Sequence, residues 1–439
     1  MADTAGALTY RRVFNIAFPI VLSNATVPIL GAVDTGVVGQ LGAAAPIGAV
    51  GIGAIILTAM YWMFGFLRMG TTGLTSQAHG AGRPGEVAAM LTRALMIGLS
   101  AGVVIILLQI PLFMGAFWVS PASAGVETLA RDYMSIRVWS APAVIALYGI
   151  TGWLVALERT RAVLVLQIWM NGLNIVLDLW FVLGLGWGVE GVALATFIAE
   201  WTGLGLGFWL CRGAFWVPAW RDWARVFDAV ALKRMGSVNL DILLRSLMLQ
   251  IIFVSFLLIG GDFGDTTLAA NQVLMQFLQI TAYAMDGFAF AAEALVGQAV
   301  GARNRAKLRR SAVLTGHLAL GSNLVLALGF LVLGGWIIDV MAKAPEVQAE
   351  ARTYLIYMFL APLLGVAAWM FDGIFIGATR ARDMRNMMAI SLAIYIAAAA
   401  VLVPGLANHG LWIALLISFV ARGITLGLRY PALERSVAG

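Results

Sequence analysis

Asp34 and Asp178 each stand inside a long apolar run, where no water is at hand to solvate a carboxylate. A charge at a bilayer centre costs at least about 2.5–3.5 kcal/mol on insertion scales, so such residues point to a function. Asp178 closes the segment Asn171-Gly-Leu-Asn174-Ile-Val-Leu-Asp178. Offsets of three and four set Asn171, Asn174 and Asp178 along one helical face. Thr196 falls at comparable depth in the next run. Two carboxylates, an amide and a hydroxyl suit two jobs. Their oxygens can ligate a hard cation such as Na⁺, or the carboxylates can take up and release a proton. The bland alternative is a packing hydrogen-bond network within the lobe; function is favoured.

A second set lies in the other half of the chain. Asp286 and Glu293 are seven residues apart and share a helical face, and Asp372 follows in Trp369-Met-Phe-Asp372-Gly. Tyr283, Trp369 and several methionines surround these acids in sequence. Acids among aromatic and thioether groups suit an amphipathic organic cation, through charge and cation–π attraction, or a second proton site. Asp241 and Arg245, spaced i,i+4, are expected to neutralise each other. Glu158, beside Arg159 and Arg161, reads as interfacial, and Glu200 is left unassigned. His79, His317 and His409 lack metal-ligand spacing, and the single cysteine, Cys211, excludes a disulfide framework.

The elements that must position these residues follow from composition. Of 439 residues, 61% are hydrophobic and 11% charged, against roughly 25% charged in a soluble domain. The solvent is lipid. About 20 apolar residues cross a hydrocarbon core of ~30 Å. Such runs fall at 13–37, 46–69, 88–112, 133–156, 162–184 and 189–211, then at 238–260, 267–298, 311–334, 351–377, 387–405 and 410–428. The first run is full length and follows Arg11–Arg12, which predicts a span and not a cleavable signal. Pro19, Pro28, Pro142 and Pro362 lie within runs, so helices 1, 4 and 10 are expected to bend.

Lys and Arg gather at the termini and after even-numbered runs, as at Arg83, Arg159, Arg161, Arg303, Arg305, Arg380 and Arg382. The loops after odd-numbered runs carry Asp262, Asp265, Asp339 and Glu346. The positive-inside rule then puts both termini in the cytoplasm of an inner membrane. The net charge of +6 is topological and predicts no nucleic-acid partner.

The halves repeat. Ser76-Gln77-Ala78-His79-Gly80-Ala81 corresponds to Gly297-Gln298-Ala299-Val300-Gly301-Ala302, Ala141-Pro142 to Ala361-Pro362, and Gly191-Val192-Ala193-Leu194 to Gly410-Leu411-Trp412-Ile413. Six runs per repeat keep the halves in one orientation. The expected organisation is an all-α polytopic protein: an N-lobe over 1–211, a basic linker over 212–236 and a C-lobe over 237–439. No phosphate-binding Gly-Lys-Ser/Thr loop, Gly-x-Ser-x-Gly elbow or His-Glu-x-x-His motif occurs, so no catalytic residue or cofactor is expected and an ion gradient supplies the energy.

With these residues assembled, the chain resembles the multidrug and toxic compound extrusion family, in its DNA-damage-inducible (DinF-like) branch. The resemblance rests on Val27-Pro-Ile-Leu-Gly-Ala-Val-Asp34-Thr, Leu67-Arg-Met-Gly-Thr-Thr-Gly-Leu-Thr-Ser-Gln-Ala78, Asn174-Ile-Val-Leu-Asp178, Tyr283-Ala-Met-Asp286-Gly-Phe-Ala and Asp372-Gly-Ile-Phe-Ile-Gly-Ala-Thr-Arg380. It implies twelve helices in two six-helix lobes around a central cavity, and export of small organic cations in exchange for H⁺ or Na⁺. It carries the cation or proton site onto Asp34, Asn174, Asp178 and Thr196, and a hinge onto Pro19 and Pro28. It leaves open a substrate or second proton site at Asp286, Glu293, Asp372, Tyr283 and Trp369. A monomer is expected. A lipid-linked precursor flippase would need a strongly basic cavity, and an intramembrane prenyltransferase would need paired aspartate clusters for Mg²⁺; the intramembrane acids noted above favour neither.

Overall fold

An α-helix rises 1.5 Å per residue and satisfies its own backbone, so apolar length alone sets the elements of a lipid-embedded chain. The computed structural model describes residues 8–40, 42–119 and 123–437, and no strand occurs among them. The first half holds α1 (Tyr10–Gly39), α2 (Ala44–Gly80), α3 (Pro84–Leu107), α4 (Ala124–Ala156), α5 (Thr160–Gly184) and α6 (Gly188–Leu210). The second holds α7 (Ala229–Gly261), α8 (Asp265–Gly301), α9 (Arg305–Met341), α10 (Leu355–Gly377) and a helical stretch, Ala381–Val437. That stretch breaks at Ala407 (φ 47°, ψ −128°), which divides it into α11 over 381–406 and α12 over 408–437. With the stretch taken as one, ten helices among the described residues are long and apolar enough to cross a membrane. α8 matches them in length but carries Asn271, Gln272, Gln276, Gln279, Asp286 and Glu293.

Helix ends repeat as the sequence does. The N–H groups of Arg83, Arg159, Asn304 and Arg380 donate to the carbonyls of Ala78, Leu154, Ala299 and Phe375 at 3.0, 2.8, 3.0 and 2.9 Å. The residue before each donor is left-handed: Gly82 (φ 66°), Glu158 (58°), Arg303 (52°) and Thr379 (53°). This is the Schellman stop. Arg303 follows Gly82, and Thr379 follows Glu158, by the same 221 residues. The duplication is therefore written in the backbone.

Two local expectations are corrected. The polar motifs over 76–81 and 297–302 were expected after their helices, yet α2 runs to Gly80 and α8 to Gly301. Thr71, Thr72, Thr75, Ser76, Gln77 and Gln298 are buried against protein, so their polarity does not end the helix. Asp241 and Arg245 do not pair along α7. Arg385 takes Asp241 at 2.5 Å, and Arg245 turns to Asp372 on α10. Tertiary partners outweigh a local pair that contributes only about 0.2–0.5 kcal/mol.

The chain divides into two compact units. Among the described residues, one holds those within 22–79 and 83–233; the other holds residues 8–21, 80–82 and 234–437. In the first unit, Gly98 and Gly102 let α3 approach the backbone of α4 at Ala146 and Pro142, the small-residue contact that lipid-embedded helices favour. The basic segment after α6 forms three short helical turns, Arg212–Phe215, Pro218–Arg221 and Trp223–Val226, packed on α3. Arg93 on α3 donates to the carbonyls of Val226 and Arg225 at 2.9 and 2.5 Å. In the second unit, Phe256, Phe277, Phe330, Tyr357 and Trp412 form the aromatic centre of a core cluster.

Candidate functional site

α5 supplies the polar stripe. Asn171, Asn174 and Asp178 are buried, while Ile168, Trp169 and Val176 on other faces are exposed. Immediately after Asp178 the helix loosens into a π-helical turn, Leu179–Gly184. Such turns insert a residue and rotate the rest of the helix, and they recur at functional sites. Asn171 ties α5 to α1: its amide donates to the Thr26 hydroxyl at 2.7 Å and accepts from Gln167 at 2.9 Å.

One turn further, Asn174 faces both acids. An amide oxygen aimed at two carboxyl groups would be repelled, so the nitrogen lies toward them. It donates to Asp34 Oδ1 at 3.3 Å and to Asp178 Oδ2 at 3.2 Å. Its oxygen accepts from the Thr196 hydroxyl at 2.9 Å and backbone N–H at 3.1 Å. Three helices, α1, α5 and α6, thus meet on one amide. Asp178 is 0% exposed, and its Oδ1 has no hydrogen-bond partner among the described residues. An acid so placed is ready to receive a proton or a cation.

The first-half residues singled out from sequence therefore converge. Pro19 and Pro28 lie within α1, which stays helical through both. Each ring removes one backbone donor from the helix ladder. Among the described residues no group of three or more His, Cys, Asp or Glu could hold a metal ion. His317 instead meets the Tyr10 hydroxyl at 2.8 Å, and His409 that of Tyr357 at 2.9 Å.

The second-half residues are dispersed over several environments. Glu293 is buried on α8, and Tyr283 and Asp286 are half-buried. Trp369 stacks at a tilt on Phe419, 5.6 Å between ring centres. Asp372 faces Arg245 and Arg422.

Arginine is what the sequence reasoning passed over. Arg137 on α4 pairs with Glu200 on α6 at 2.5 Å, and its carbonyl accepts from the Tyr61 hydroxyl at 3.1 Å. Arg422 is buried in α12. The signal was present in both: an arginine well inside an apolar run, as costly there as an aspartate.

With this geometry in hand, comparison with known proteins is decisive for the family. The MatE family profile matches residues 19–180 and 242–401. Over 429 residues the chain is 39% identical to DNA damage-inducible protein F of Escherichia coli, spanning 95% of this chain and 91% of that one. It is 26% identical over 454 residues to the probable multidrug resistance protein NorM of Xanthomonas campestris, spanning 96% and 93%. Among solved structures, the MATE transporter VcmN of Vibrio cholerae in its bent form matches with a TM-score of 0.86 at 20% identity, covering 98% of this chain and 97% of that one. A MOP-superfamily transporter from Pyrococcus furiosus matches at 0.85 and 18%, with the same coverage. Those two likenesses establish a shared fold. The profile match across both halves and the full-length relative establish more: this chain belongs to the MatE family of multidrug and toxic compound extrusion transporters, in the branch of DNA damage-inducible protein F.

Proposed function

We propose that the chain is a secondary antiporter of the inner membrane that exports small organic cations, with the coupling ion entering at Asp34, Asn174, Asp178 and Thr196. The reading rests on one arrangement: two carboxyl groups bridged by a single amide, one of them sealed from solvent with an unpartnered oxygen. Two acids this close in a low-dielectric site titrate as a pair. That paired titration supports H⁺ as the coupling ion; Na⁺, which would take the amide oxygen as a ligand, is the alternative.

Binding and release of a proton at Asp34 changes the charge on α1, whose backbone is already weakened at Pro19 and Pro28. A bend there is the route by which occupancy of the site changes access for cargo, with the two halves alternating between faces of the membrane. Asp286, Glu293, Tyr283 and Trp369 are the second-half candidates for a cationic cargo or a second proton. Asp372 is the least available of the set, because two arginines already face it. The termini lie in the cytoplasm, by the distribution of Lys and Arg, and a monomer suffices for the cycle.

The test is transport of a fluorescent organic cation by purified protein in liposomes, with pH and Na⁺ gradients imposed separately. A pH gradient alone should drive efflux, and Asp34→Asn should abolish it while the protein stays folded. Wild-type rates from that variant would overturn the coupling site; efflux driven only by Na⁺ would overturn the choice of ion.

A further inference from the structure

Around Asp372 the second unit gathers more positive charge than that one carboxylate cancels. Asp372 on α10 receives a hydrogen bond from Arg245 Nη2 of α7, and Arg422 Nε of α12 stands 3.8 Å from the same carboxylate oxygen. The side chains of Arg245, Asp372 and Arg422 are 9%, 9% and 4% exposed. Two guanidinium groups and one carboxylate leave one positive charge over. Asp241, the other acid on α7 nearby in sequence, is taken by Arg385 at 2.5 Å. The charged groups that act on Arg422 are Asp372 and Arg245.

Hydrogen bonding tells the same story. A guanidinium carries five N–H donors and no acceptor. Arg422 directs Nη1 at the Met388 thioether, 4.0 Å away, and its carbon lies 5.9 Å from the centre of the Phe419 ring. The Nε atoms of Arg245 and Arg422 have no hydrogen-bond acceptor among the described residues. Buried polar groups are almost always satisfied, and a buried charge left without partners is costly. A thioether and a ring face are poor substitutes for an oxygen anion.

We propose that Arg245 and Arg422 form an anion site that takes one monovalent organic anion, a carboxylate or sulfonate. Arg422 provides the planar fork that matches such a group in two parallel bonds. Arg245 is held in place by Asp372, which also competes with the ligand and keeps its binding reversible. Phe419, with Trp369 stacked against it, lends an aromatic flank, so an aryl acid fits better than an alkyl one. This goes beyond the cation exchange proposed above and does not rest on it: the ligand has the opposite charge, and Arg245 and Arg422 belong neither to the coupling site nor to the candidates for the cationic cargo.

The experiment is equilibrium binding to purified full-length protein in an uncharged detergent, which keeps lipid phosphate out of the measurement. The probes are 1-naphthoate, its cationic counterpart 1-naphthylmethylammonium, and chloride as a competitor. Naphthoate is expected to bind saturably, and Arg422→Gln to weaken it at least tenfold. Arg422→Lys, which keeps the charge and loses the fork, should fall between. Asp372→Asn is expected to tighten naphthoate several-fold, because the internal competitor is gone. A purely structural triad would not respond that way. Thermal unfolding of each variant reports folding, and Arg422→Lys carries the test if Arg422→Gln does not fold. Absence of saturable naphthoate binding, binding unchanged by both Arg422 variants, or weakening by Asp372→Asn would each overturn the site. Chloride competition supports it, whereas chloride binding without naphthoate binding would overturn the organic ligand.

Discussion

Arg137 Nη1 lies 2.5 Å from Glu200 Oε2, joining α4 to α6 with side chains only 9% and 17% exposed. Two charges withdrawn from water hold each other in place, and removing one strands the other. Glu200→Gln is therefore expected to destabilise the protein by about 3–5 kcal/mol, read as a lower melting temperature in detergent. Replacing both residues with apolar ones, Arg137→Met with Glu200→Leu, should recover most of that loss. A double variant weaker than the single one would show that the pair does more than cancel charge.

Asn174 makes a sharper test of the first-half site than either acid. Asn174→Ala keeps both carboxyl groups and removes the amide that spans them. A hydrogen bond to a charged group contributes about 1.5–3 kcal/mol, so loss of two predicts at least a tenfold fall in pH-driven efflux. The readout is initial rate in liposomes, normalised to folded protein. Rates within twofold of wild type would mean that the amide does not organise the acids.

The four helix stops offer a stability measurement. A non-glycine residue in the left-handed region costs about 1–2 kcal/mol, part of which glycine returns through a more flexible unfolded chain. Arg303→Gly and Thr379→Gly are each expected to stabilise by about 0.5–1 kcal/mol. Gly82→Ala should destabilise by about the same amount. Melting temperatures of the three variants in one detergent decide the matter.

Glycines in this chain divide by what surrounds them. A Cβ on Gly102 would stand 2.2 Å from Pro142 Cα, and one on Gly98 would stand 2.7 Å from Ala146 Cα. Gly172, on the lipid-embedded α5, has nothing within 4 Å of an added Cβ. Gly102→Leu should abolish the yield of folded protein, as α3 and α4 are forced apart. Gly172→Ala should raise the melting temperature slightly, since alanine in a helix is favoured over glycine by about 0.5–1 kcal/mol. Size-exclusion profiles of the two variants give the answer directly.

Much of this architecture can be read from residue types alone, for identifiable reasons. The spans follow from apolar length, because lipid leaves backbone groups no partner outside the helix. Asn171, Asn174 and Asp178 were legible as a stripe because three and four residues bring side chains to one face. Asp34 was legible as a lone acid in a greasy run, but its distance from Asn174 was not, since that depends on how α1 packs on α5. Arg137, Arg245 and Arg422 illustrate the harder case. Arginines were read as markers of topology, or paired with the nearest acid along the helix, and neither rule anticipates a partner 63 or 127 residues away. The Ser76-Gln77 segment misled for the opposite reason: polar residues inside a bundle look like a loop until their burial is known.

Residues 8–21 belong to the unit built from the second half of the chain. Tyr10 finds His317 307 residues later, and Ala17 and Val21 pack beside Gly287. At about 5–20 residues per second of synthesis, the opening helix waits roughly 15–60 s for these neighbours to emerge. A helix made before its neighbours is thus completed only once they arrive. A gene split after residue 233 would yield a first fragment whose own leading segment stays unfinished until the second fragment is inserted beside it.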